Sequence, residues 1–249
     1  MNITPIVKQL LIVNILFFIG SYFVPVSYDV FSLYYPENEK FRVWQLITHM
    51  FMHAPYPNIT HLFFNMFALY SFGSTLEHLW GGKKFLFFYI SCGLGAALLH
   101  TVVNYYHFQE GLNTLISNGF PKSEILQLLN EGKIDTRWQE LLTVTQFENF
   151  TSAYVGTAVG ASGAIYGIMV AFAFMFPNAE LALMFVPIPI KAKYFVPGLV
   201  LIDLYLGISG KSIFGGGGIA HFAHVGGALF GFLIMWYWKK NQFNSNRWN

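Results

Sequence analysis

Residues 159–167 read VGASGAIYG and stand out from a stretch that otherwise carries large apolar side chains. Two GxxxG pairs run through this part of the chain: Gly156 with Gly160, and Gly163 with Gly167. Small residues at this spacing let membrane helices approach each other closely. Ser162 lies between the pairs and has two interpretations. Either the glycines serve packing alone and the serine bonds back to its own helix, or Ser162 is a nucleophile at a helix N-terminus.

The composition of the chain indicates a membrane protein. Of its 249 residues, 55% are hydrophobic and only 10% are charged, whereas an ordinary globular domain carries about 25% charged residues. The mean hydropathy is +0.47. The net charge of +2 is too small to indicate a nucleic-acid partner. Cys92 is the single cysteine, so the chain cannot form an internal disulfide.

Six stretches have the roughly 20 mostly apolar residues that a spanning helix needs. They are residues 6–26, 59–80, 85–104, 155–176, 194–214 and 219–238. We therefore predict an all-α polytopic membrane protein in which residues 1–249 form one domain with six transmembrane helices. Residues 181–190 are apolar but short and contain two prolines, so we expect them at the membrane interface. Residues 215–218 (GGGG) predict a flexible turn.

Two segments between the predicted spans are too long for simple turns. Residues 27–58 form a first loop that is rich in aromatic residues and proline. Residues 105–154 form an insertion between the third and fourth spans. The apolar spacing within the insertion predicts two short amphipathic helices on the outer surface, with Ser123 and Asp135 as possible N-caps.

The distribution of lysine and arginine favours an orientation with both termini in the cytoplasm. Eight basic residues then lie inside: Lys8, Lys83, Lys84, Lys191, Lys193, Lys239, Lys240 and Arg247. Six lie outside: Lys40, Arg42, Lys122, Lys133, Arg137 and Lys211. The first apolar stretch has no clear signal-peptide cleavage site and is interpreted as a span. Without a targeting segment, we expect a bacterial inner membrane.

Three of the six spans carry polar side chains near their outer ends, where such groups are costly and indicate function. His61 and Asn65 share a helix face because they are four residues apart. Ser162 lies near the start of the fourth span, and His224 near the start of the sixth. These three spans run in the same direction, so Asn65, Ser162 and His224 lie roughly 8–11 Å below the outer ends of their helices.

Packing of the small residues then predicts which side chains meet. We expect the Gly163/Gly167 side of the fourth span to contact the Gly227/Gly231 side of the sixth. This contact brings Ser162 close to His224. In the functional interpretation, His224 takes the serine proton, and the exposed N–H groups of the helix stabilise negative charge.

At these residues the chain resembles the rhomboid family of intramembrane serine proteases, and the resemblance spans nearly the whole membrane core. The matching segments are FRVWQLITHMFMH (41–53), HLFFNMFALYSFGSTLEHLWG (61–81), GASGAIYG (160–167) and AHFAHVGGALFG (220–231). A GxSG motif alone is a weak signal. Its combination with HxxxN two spans earlier and AHxxGxxxG two spans later is specific.

The resemblance implies a role for each matching residue. Ser162 would be the nucleophile and His224 the general base. His61 and Asn65 would help to bind the oxyanion together with the Ser162 backbone N–H. Tyr166 would pack its ring against His224. The implied mechanism is acyl transfer by a Ser–His dyad, with no metal or cofactor.

Further implications concern the surroundings of this site. Gly160 would lie beside the oxyanion. His224 rather than His221 fits the motif, because only His224 has glycines at +3 and +7, and we assign His221 no chemistry. Residues 41–44 would lie partly in the outer leaflet. The fifth span would act as a lateral gate for the substrate, with the following turn as a cap.

Three other polar residues have open interpretations. His49 and His53 are four residues apart and could bind a metal, but no third ligand follows at a suitable spacing. A hydrogen-bonded pair that stabilises the first loop is the simpler interpretation. Asp203 in the fifth span either orients His224 as a third triad member or bonds to polar groups of a neighbouring span. We favour the second.

The function predicted from the sequence is proteolysis of other membrane proteins within or near their transmembrane segments. The partners are therefore transmembrane-helix substrates and the lipid bilayer. One alternative is an inactive protein of the same fold that binds transmembrane helices. Another is a transporter or channel with a histidine proton relay, which would need polar residues through the full depth of the membrane.

Overall fold

The computed structural model of the protein describes residues 2–183, 186–210 and 220–241. These residues are mostly helical. The α-helices in chain order are α1 (Pro5–Phe23), α2 (Ser27–Phe31), α3 (Gln45–Thr48), α4 (Ile59–Ala68), α5 (Ser74–Trp80), α6 (Gly82–Ser117), α7 (Lys122–Asn130), α8 (Trp138–Leu141), α9 (Val144–Val155), α10 (Ser162–Met175), α11 (Ala192–Ser209) and α12 (Ala220–Asn241). A 3₁₀ turn covers His49–Phe51, and a π-helical segment covers Leu69–Gly73.

Within the described residues, four helices are long and apolar enough to cross a membrane: α1, α6, α11 and α12. Large apolar side chains project from their surfaces, including Leu16, Leu98, Ile208 and Trp236. Such extensive apolar exposure is unusual for a soluble protein. The prediction of a largely helical, polytopic membrane protein is confirmed at this level. The predicted turn at 215–218 and the cap after the fifth span lie outside the described residues.

The third predicted span is longer than expected. Residues 85–104 lie within α6, which has 36 residues and continues to Ser117. At 1.5 Å per residue it is about 54 Å long, whereas the hydrocarbon layer is about 30 Å thick. The first residues assigned to the insertion, 105–117, therefore belong to this helix. The apolar pattern ends near 104, but the helix continues because its last turns pack on the insertion.

The second predicted span, 59–80, is helical throughout and changes to π-helical geometry at Leu69–Gly73. Gly73 lies at the end of the π segment. A Cβ atom on it would stand 3.1 Å from Val7 and 3.2 Å from Phe85. The π segment thus coincides with a close approach to α1 and α6.

The predicted start of the fourth span, residue 155, is wrong. Helix α9 ends at Val155, residues 156–161 are not helical, and α10 begins at Ser162. The backbone of residues 158 and 160 bonds instead to the first loop, which prevents a continuous helix. As a result, α10 has only 14 residues.

Two short strands modify the prediction of an all-α fold. Strand β1 (Glu180–Leu183) pairs in antiparallel fashion with β2 (Val186–Lys191), and Glu180 lies opposite Lys191. These strands include most of the segment predicted to lie at the interface. Proline lacks an N–H group and is found in edge strands. Both strands of a two-stranded hairpin are edges, so the prolines of β2 are compatible with it.

The contact predicted between the two glycine pairs is confirmed. A Cβ atom on Gly227 would stand 1.8 Å from the Gly163 carbonyl oxygen, and one on Gly231 would stand 2.7 Å from the Gly167 Cα. On the other side, Cβ atoms on Gly163 and Gly167 would meet Ala96 and Cys92 of α6, respectively. Helix α10 therefore packs closely against both α6 and α12.

The insertion has a hydrophobic cluster of its own. Trp138, Phe150 and Tyr154 are buried and pack against Phe108 of α6 and Tyr35 of the first loop. Two short helices were predicted in the insertion, and the structure has three. Neither predicted residue lies at an N-cap position: these positions are Pro121 for α7 and Arg137 for the four-residue α8, and neither makes a side-chain cap bond. Asp135 Oδ1 nevertheless accepts from the Arg137 N–H at 2.9 Å, just before α8. The third helix, α9, starts with a capping box formed by Thr143 and Gln146.

Candidate active site

Ser162 is the first residue of α10 and follows a non-helical segment, residues 156–161. The first N–H groups of an α-helix have no partner within the helix. The N–H groups of Ser162 and Gly163 are therefore directed towards the helix N-terminus, where the helix dipole favours negative charge. This arrangement provides hydrogen-bond donors beside the Ser162 hydroxyl.

The segment before Ser162 is held in place by the first loop. Leu33 and Ala158 exchange two backbone hydrogen bonds of 3.0 and 2.9 Å. The Gly160 N–H donates to the His49 carbonyl oxygen at 2.9 Å. Gly160 has a φ angle of +123°, and a Cβ atom on it would stand 3.0 Å from His61 Cε1. Both the backbone conformation and the nearby imidazole favour glycine at this position.

His224 Nε2 lies 2.8 Å from Ser162 Oγ, which is hydrogen-bonding distance. His224 belongs to the first turns of α12, one turn from Gly227. The close contact of Gly163 with Gly227 brings the beginnings of α10 and α12 together. The predicted proximity of Ser162 and His224 follows from this contact.

The ring of Tyr166 stacks on the ring of His224. Their centroids are 4.4 Å apart, and their planes differ by 9°. Tyr166 lies one turn after Ser162 on the same face of α10. Its hydroxyl group donates a hydrogen bond to Asp203 Oδ2. The tyrosine therefore limits the tilt of the imidazole and is itself anchored at its far end.

Asp203 projects from α11 and contacts three side chains on two neighbouring helices. Its Oδ1 atom lies 2.5 Å from His221 Nδ1 and 3.2 Å from His224 Nδ1, while Oδ2 accepts from Tyr166. Asp203 is buried. The prediction that it bonds to polar groups of a neighbouring span is confirmed. It also lies where a triad carboxylate would, on the side of His224 away from Ser162.

The imidazole ring of His61 lies beside Gly160. The Ala54 N–H donates to His61 Nδ1 at 3.1 Å. Since Nδ1 accepts this bond, a neutral ring carries its proton on Nε2. A Cβ atom placed on Gly160 would lie 3.1 Å from His61 Nε2 and 3.5 Å from Ser162 Oγ. The Nε2–H donor and the serine hydroxyl thus face one small space.

Asn65 is buried one turn below His61, and its amide donates to the His61 carbonyl oxygen at 2.7 Å. A side-chain amide has two N–H donors. The bond to its own helix uses one of them and leaves the second for another acceptor. Asn65 is therefore close to the site, but its observed contact is with its own helix rather than with Ser162.

His49 and His53 stabilise the first loop. His49 Nδ1 lies 2.8 Å from the Gln45 carbonyl oxygen, and His53 Nδ1 lies 3.2 Å from that of Phe51. Burial lowers the pKa of His49 to about 4 and that of His53 to about 3. Both rings are therefore neutral at pH 7, and each donates its Nδ1 proton to the carbonyl oxygen that it faces.

Among the described residues, Asp203, His221 and His224 have potential metal-ligating atoms within 4.8 Å of one another. Two ligands of a tetrahedral zinc ion are about 3.3 Å apart, given bonds of about 2.0 Å. The Asp203–His221 distance of 2.5 Å is too short for such a pair. The geometry of the group fits hydrogen bonds better than metal coordination.

One residue that shapes this region, Gln45, was not among the predicted site residues. Gln45 is fully buried; its side chain donates to the Lys40 carbonyl oxygen at 2.9 Å and accepts from the Arg42 N–H at 3.1 Å. It therefore fixes the loop that carries His49. In the sequence, Gln45 is marked only as a single amide side chain within an aromatic and aliphatic segment. Its hydrogen-bond partners are backbone groups, which no sequence motif identifies.

Comparisons with known proteins agree with the architecture. A family model described as the rhomboid domain matches residues 40–119 and 140–241, well over half of the chain. Rhomboid protein 1, mitochondrial, of Saccharomyces cerevisiae is 26% identical over 180 residues, which cover 72% of this chain and 38% of the relative. Rhomboid protease AarA of Providencia stuartii is 29% identical over 201 residues, 77% of this chain and 54% of the relative.

A third relative is the presenilin-associated rhomboid-like protein A, mitochondrial, of Danio rerio. It is 25% identical over 227 residues, which cover 88% of this chain and 45% of the relative. The chain thus spans about half the length, or less, of the curated relatives that it matches. The family model, the apolar helices and the motif residues gathered at one site agree, and the chain belongs to the rhomboid family of multi-pass membrane proteins.

Proposed function

We propose that the protein is an intramembrane serine endopeptidase that cleaves transmembrane proteins within or near their membrane segments. The observation that carries this proposal is the 2.8 Å contact between His224 Nε2 and Ser162 Oγ at the N-terminus of α10. A serine is a weak nucleophile until a neighbouring base accepts its proton. The family includes proteins named as proteases, among them the relative from Providencia stuartii.

In the first step, Ser162 Oγ attacks the carbonyl carbon of the scissile peptide bond, and its proton moves to His224 Nε2. The carbonyl oxygen becomes an oxyanion. The donors available to it are the Ser162 backbone N–H, His61 Nε2–H and the second N–H of Asn65. Donors that are fixed before the reaction stabilise the developing charge without reorganisation.

Collapse of the tetrahedral intermediate breaks the C–N bond. His224 returns its proton to the leaving amine, and an ester joins the substrate acyl group to Ser162. A water molecule then attacks the ester carbonyl and gives its proton to His224. The second intermediate releases a carboxylic acid, and the proton returns to Ser162 Oγ, so the enzyme is regenerated.

A transmembrane helix protects its peptide bonds by hydrogen bonding. The substrates are therefore helices whose outer end unwinds readily, so that a peptide bond can enter the site in extended form. We propose that α11 forms the lateral entrance. Leu201 and Tyr205 expose more than 60% of their surface on this helix, and Pro197 interrupts its hydrogen bonding.

We further propose one membrane domain with six crossings and both termini in the cytoplasm. The additional crossings are the helical run of residues 59–80 and helix α10. Helix α10 is about 21 Å long, so it reaches across only part of the hydrocarbon layer, and the Ser162 hydroxyl lies below the outer surface. The relatives include bacterial and mitochondrial proteins, and a bacterial inner membrane stays our prediction.

The test is cleavage of a fluorogenic transmembrane peptide in liposomes by the wild type, Ser162→Ala and His224→Ala, with thermal unfolding as a check of folding. We expect cleavage by the wild type and a loss of nearly all activity in both variants. Full activity of folded Ser162→Ala would disprove the nucleophile assignment. If the wild type cleaves nothing, its labelling by a fluorophosphonate at Ser162 would still support a serine hydrolase, and absence of labelling would favour a helix-binding protein.

A further inference from the structure

We propose that Asp203 is a positioning residue for His224, so that the protein uses a carboxylate–histidine–serine relay rather than a serine and a histidine alone. This inference rests on the proposed function. It concerns the protonation state and orientation of one imidazole, and its geometric basis is the contact of Asp203 Oδ1 with His224 Nδ1 at 3.2 Å.

The two nitrogen atoms of His224 have different roles. Nε2 lies 2.8 Å from Ser162 Oγ and must carry no proton if it is to accept the serine proton. In a neutral ring the proton then resides on Nδ1. A carboxylate oxygen is an acceptor only, so Asp203 beside Nδ1 stabilises this tautomer and disfavours the opposite one.

The position of the carboxylate is itself fixed. Its second oxygen accepts from the Tyr166 hydroxyl. The Asp203 side chain is 7% exposed. Because Tyr166 also stacks on His224, one tyrosine limits the tilt of the ring and anchors the carboxylate that limits its rotation. The side chains of Tyr166, Asp203 and His224 come from three helices and form one connected unit.

Charge gives a second reason. Proton transfer from Ser162 makes His224 an imidazolium cation beside the carboxylate. The titratable groups that face this ring are Tyr166 from α10, Asp203 from α11, His221 from α12 and His61 from α4. Among these four, only Asp203 is an acid that ionises readily. It therefore stabilises the cation during attack while the proton stays on His224.

A purely structural role makes different predictions. In that case Asp203 would only tie α11 to α12 through His221, and loss of either partner would have the same effect. In our proposal the important partner is His224. His221→Ala removes the structural contact and leaves the contact with His224, so it is a matched control for Asp203→Asn.

The experiment measures the rate of fluorophosphonate labelling of Ser162 and, in parallel, kcat and KM for a transmembrane peptide in liposomes. For Asp203→Asn we expect labelling and kcat to fall by up to about 10⁴-fold, since the amide no longer selects the tautomer, with KM within threefold of the wild type. His221→Ala should label within threefold of the wild type. Asp203→Glu should recover part of the lost rate.

Nitrogen-15 NMR of the histidine rings tests the same point in the wild-type protein. The His224 signal, assigned by its loss in His224→Gln, should show a proton on Nδ1 and a bare Nε2. The opposite tautomer would overturn the proposal even if Asp203→Asn does not fold. The proposal would also be overturned by equal losses of activity in Asp203→Asn and His221→Ala, or by a normal labelling rate in Asp203→Asn. Either result leaves the proposed function intact. A wild type that neither labels nor cleaves would overturn both.

Discussion

Gly227 of α12 packs directly on Gly163 of α10, so closely that a methyl group on Gly227 would stand 1.8 Å from the Gly163 carbonyl oxygen. This contact lies one turn from His224 and one residue from Ser162. The distance between the two reactive side chains is therefore set by a backbone contact that only glycine permits. Helix packing and the geometry of the site have a common origin.

Gly227→Ala should separate α10 from α12. Overpacking of this kind costs about 1–3 kcal/mol of stability, and more where backbone must move. We expect a lower Tm and a loss of most fluorophosphonate labelling, because His224 moves away from Ser162. The matched control is Gly198→Ala in α11, where a Cβ atom meets nothing within 4 Å. Equal Tm values and labelling rates for the two variants would contradict this account of the packing.

The sequence was sufficient to predict this contact because its determinants are local. Small residues every fourth position define a helix face, and two such faces have few ways to pack. The sequence pattern placed Ser162 near the start of the fourth span but did not predict the helix break directly before it. The break before it depends on Leu33 and His49, more than a hundred positions earlier, and apolar periodicity contains no information on such a contact. For the same reason the pattern placed the start of the fourth span at residue 155.

Other differences have equally specific causes. The extension of α6 to Ser117 is stabilised by Phe150, whose ring packs on Gly111 at a distance that excludes a Cβ atom. No feature of α6 alone predicts it. Asp203 was correctly expected to bond across helices, but its three partners belong to two different helices, and only the packed bundle brings them to one carboxylate.

His61→Ala should lower kcat and leave KM nearly unchanged. Its Nε2–H faces the oxyanion position because the Ala54 N–H occupies Nδ1. Loss of one oxyanion donor costs about 10²- to 10³-fold in kcat. Steady-state kinetics on a transmembrane peptide give both constants. His78→Ala, at an exposed histidine on the same helical run, is the control and should cleave normally. A rise in KM with unchanged kcat would place His61 in substrate binding instead.

The stability of the first loop should fall as the pH falls below about 6.5. His49 and His53 have pKa values of about 4 and 3 in the folded protein because they are buried, whereas an unfolded histidine titrates near 6.5. Below that pH the unfolded chain binds more protons than the folded one. Stability is complete above about pH 6.5 and is progressively lost towards pH 4.

At pH 5, about 1.5 pH units below the pKa of an unfolded histidine, the folded protein loses on the order of 2 kcal/mol of stability for each histidine, at about 1.36 kcal/mol per unit. Thermal unfolding in detergent at pH 7.5 and pH 5 measures it as a decrease in Tm. His53→Gln cannot be protonated and should show a smaller decrease than the wild type. A Tm that is equal at the two pH values would mean that these rings are not neutral and buried at pH 7.5.

Glu77 should be a major contributor to the position of α1. Its buried carboxylate accepts from the backbone N–H groups of Ile6 and Val7 at 2.9 and 2.8 Å and from the Thr4 hydroxyl. It therefore caps the first turn of α1 from a different helix. Glu77→Ala removes all three bonds and leaves donors unpaired, and we expect a loss of about 2–4 kcal/mol. Chemical unfolding should show no comparable loss for Glu140→Ala, at an exposed glutamate; equal losses would exclude a capping role.

The insertion should stabilise the first loop through Tyr154. Its hydroxyl lies 3.0 Å from Asn130 Oδ1 and 3.1 Å from the Glu37 carbonyl oxygen, so one buried tyrosine joins α9, α7 and the loop. Tyr154→Phe keeps the packed ring and removes these contacts, which should cost about 1–2 kcal/mol. The control Tyr106→Phe changes an exposed hydroxyl and should leave the Tm unchanged. Protease cleavage within residues 27–58 should be faster in Tyr154→Phe than in the control, because the loop that carries His49 loses an anchor. Equal cleavage rates would show that the insertion packs beside the loop without stabilising it.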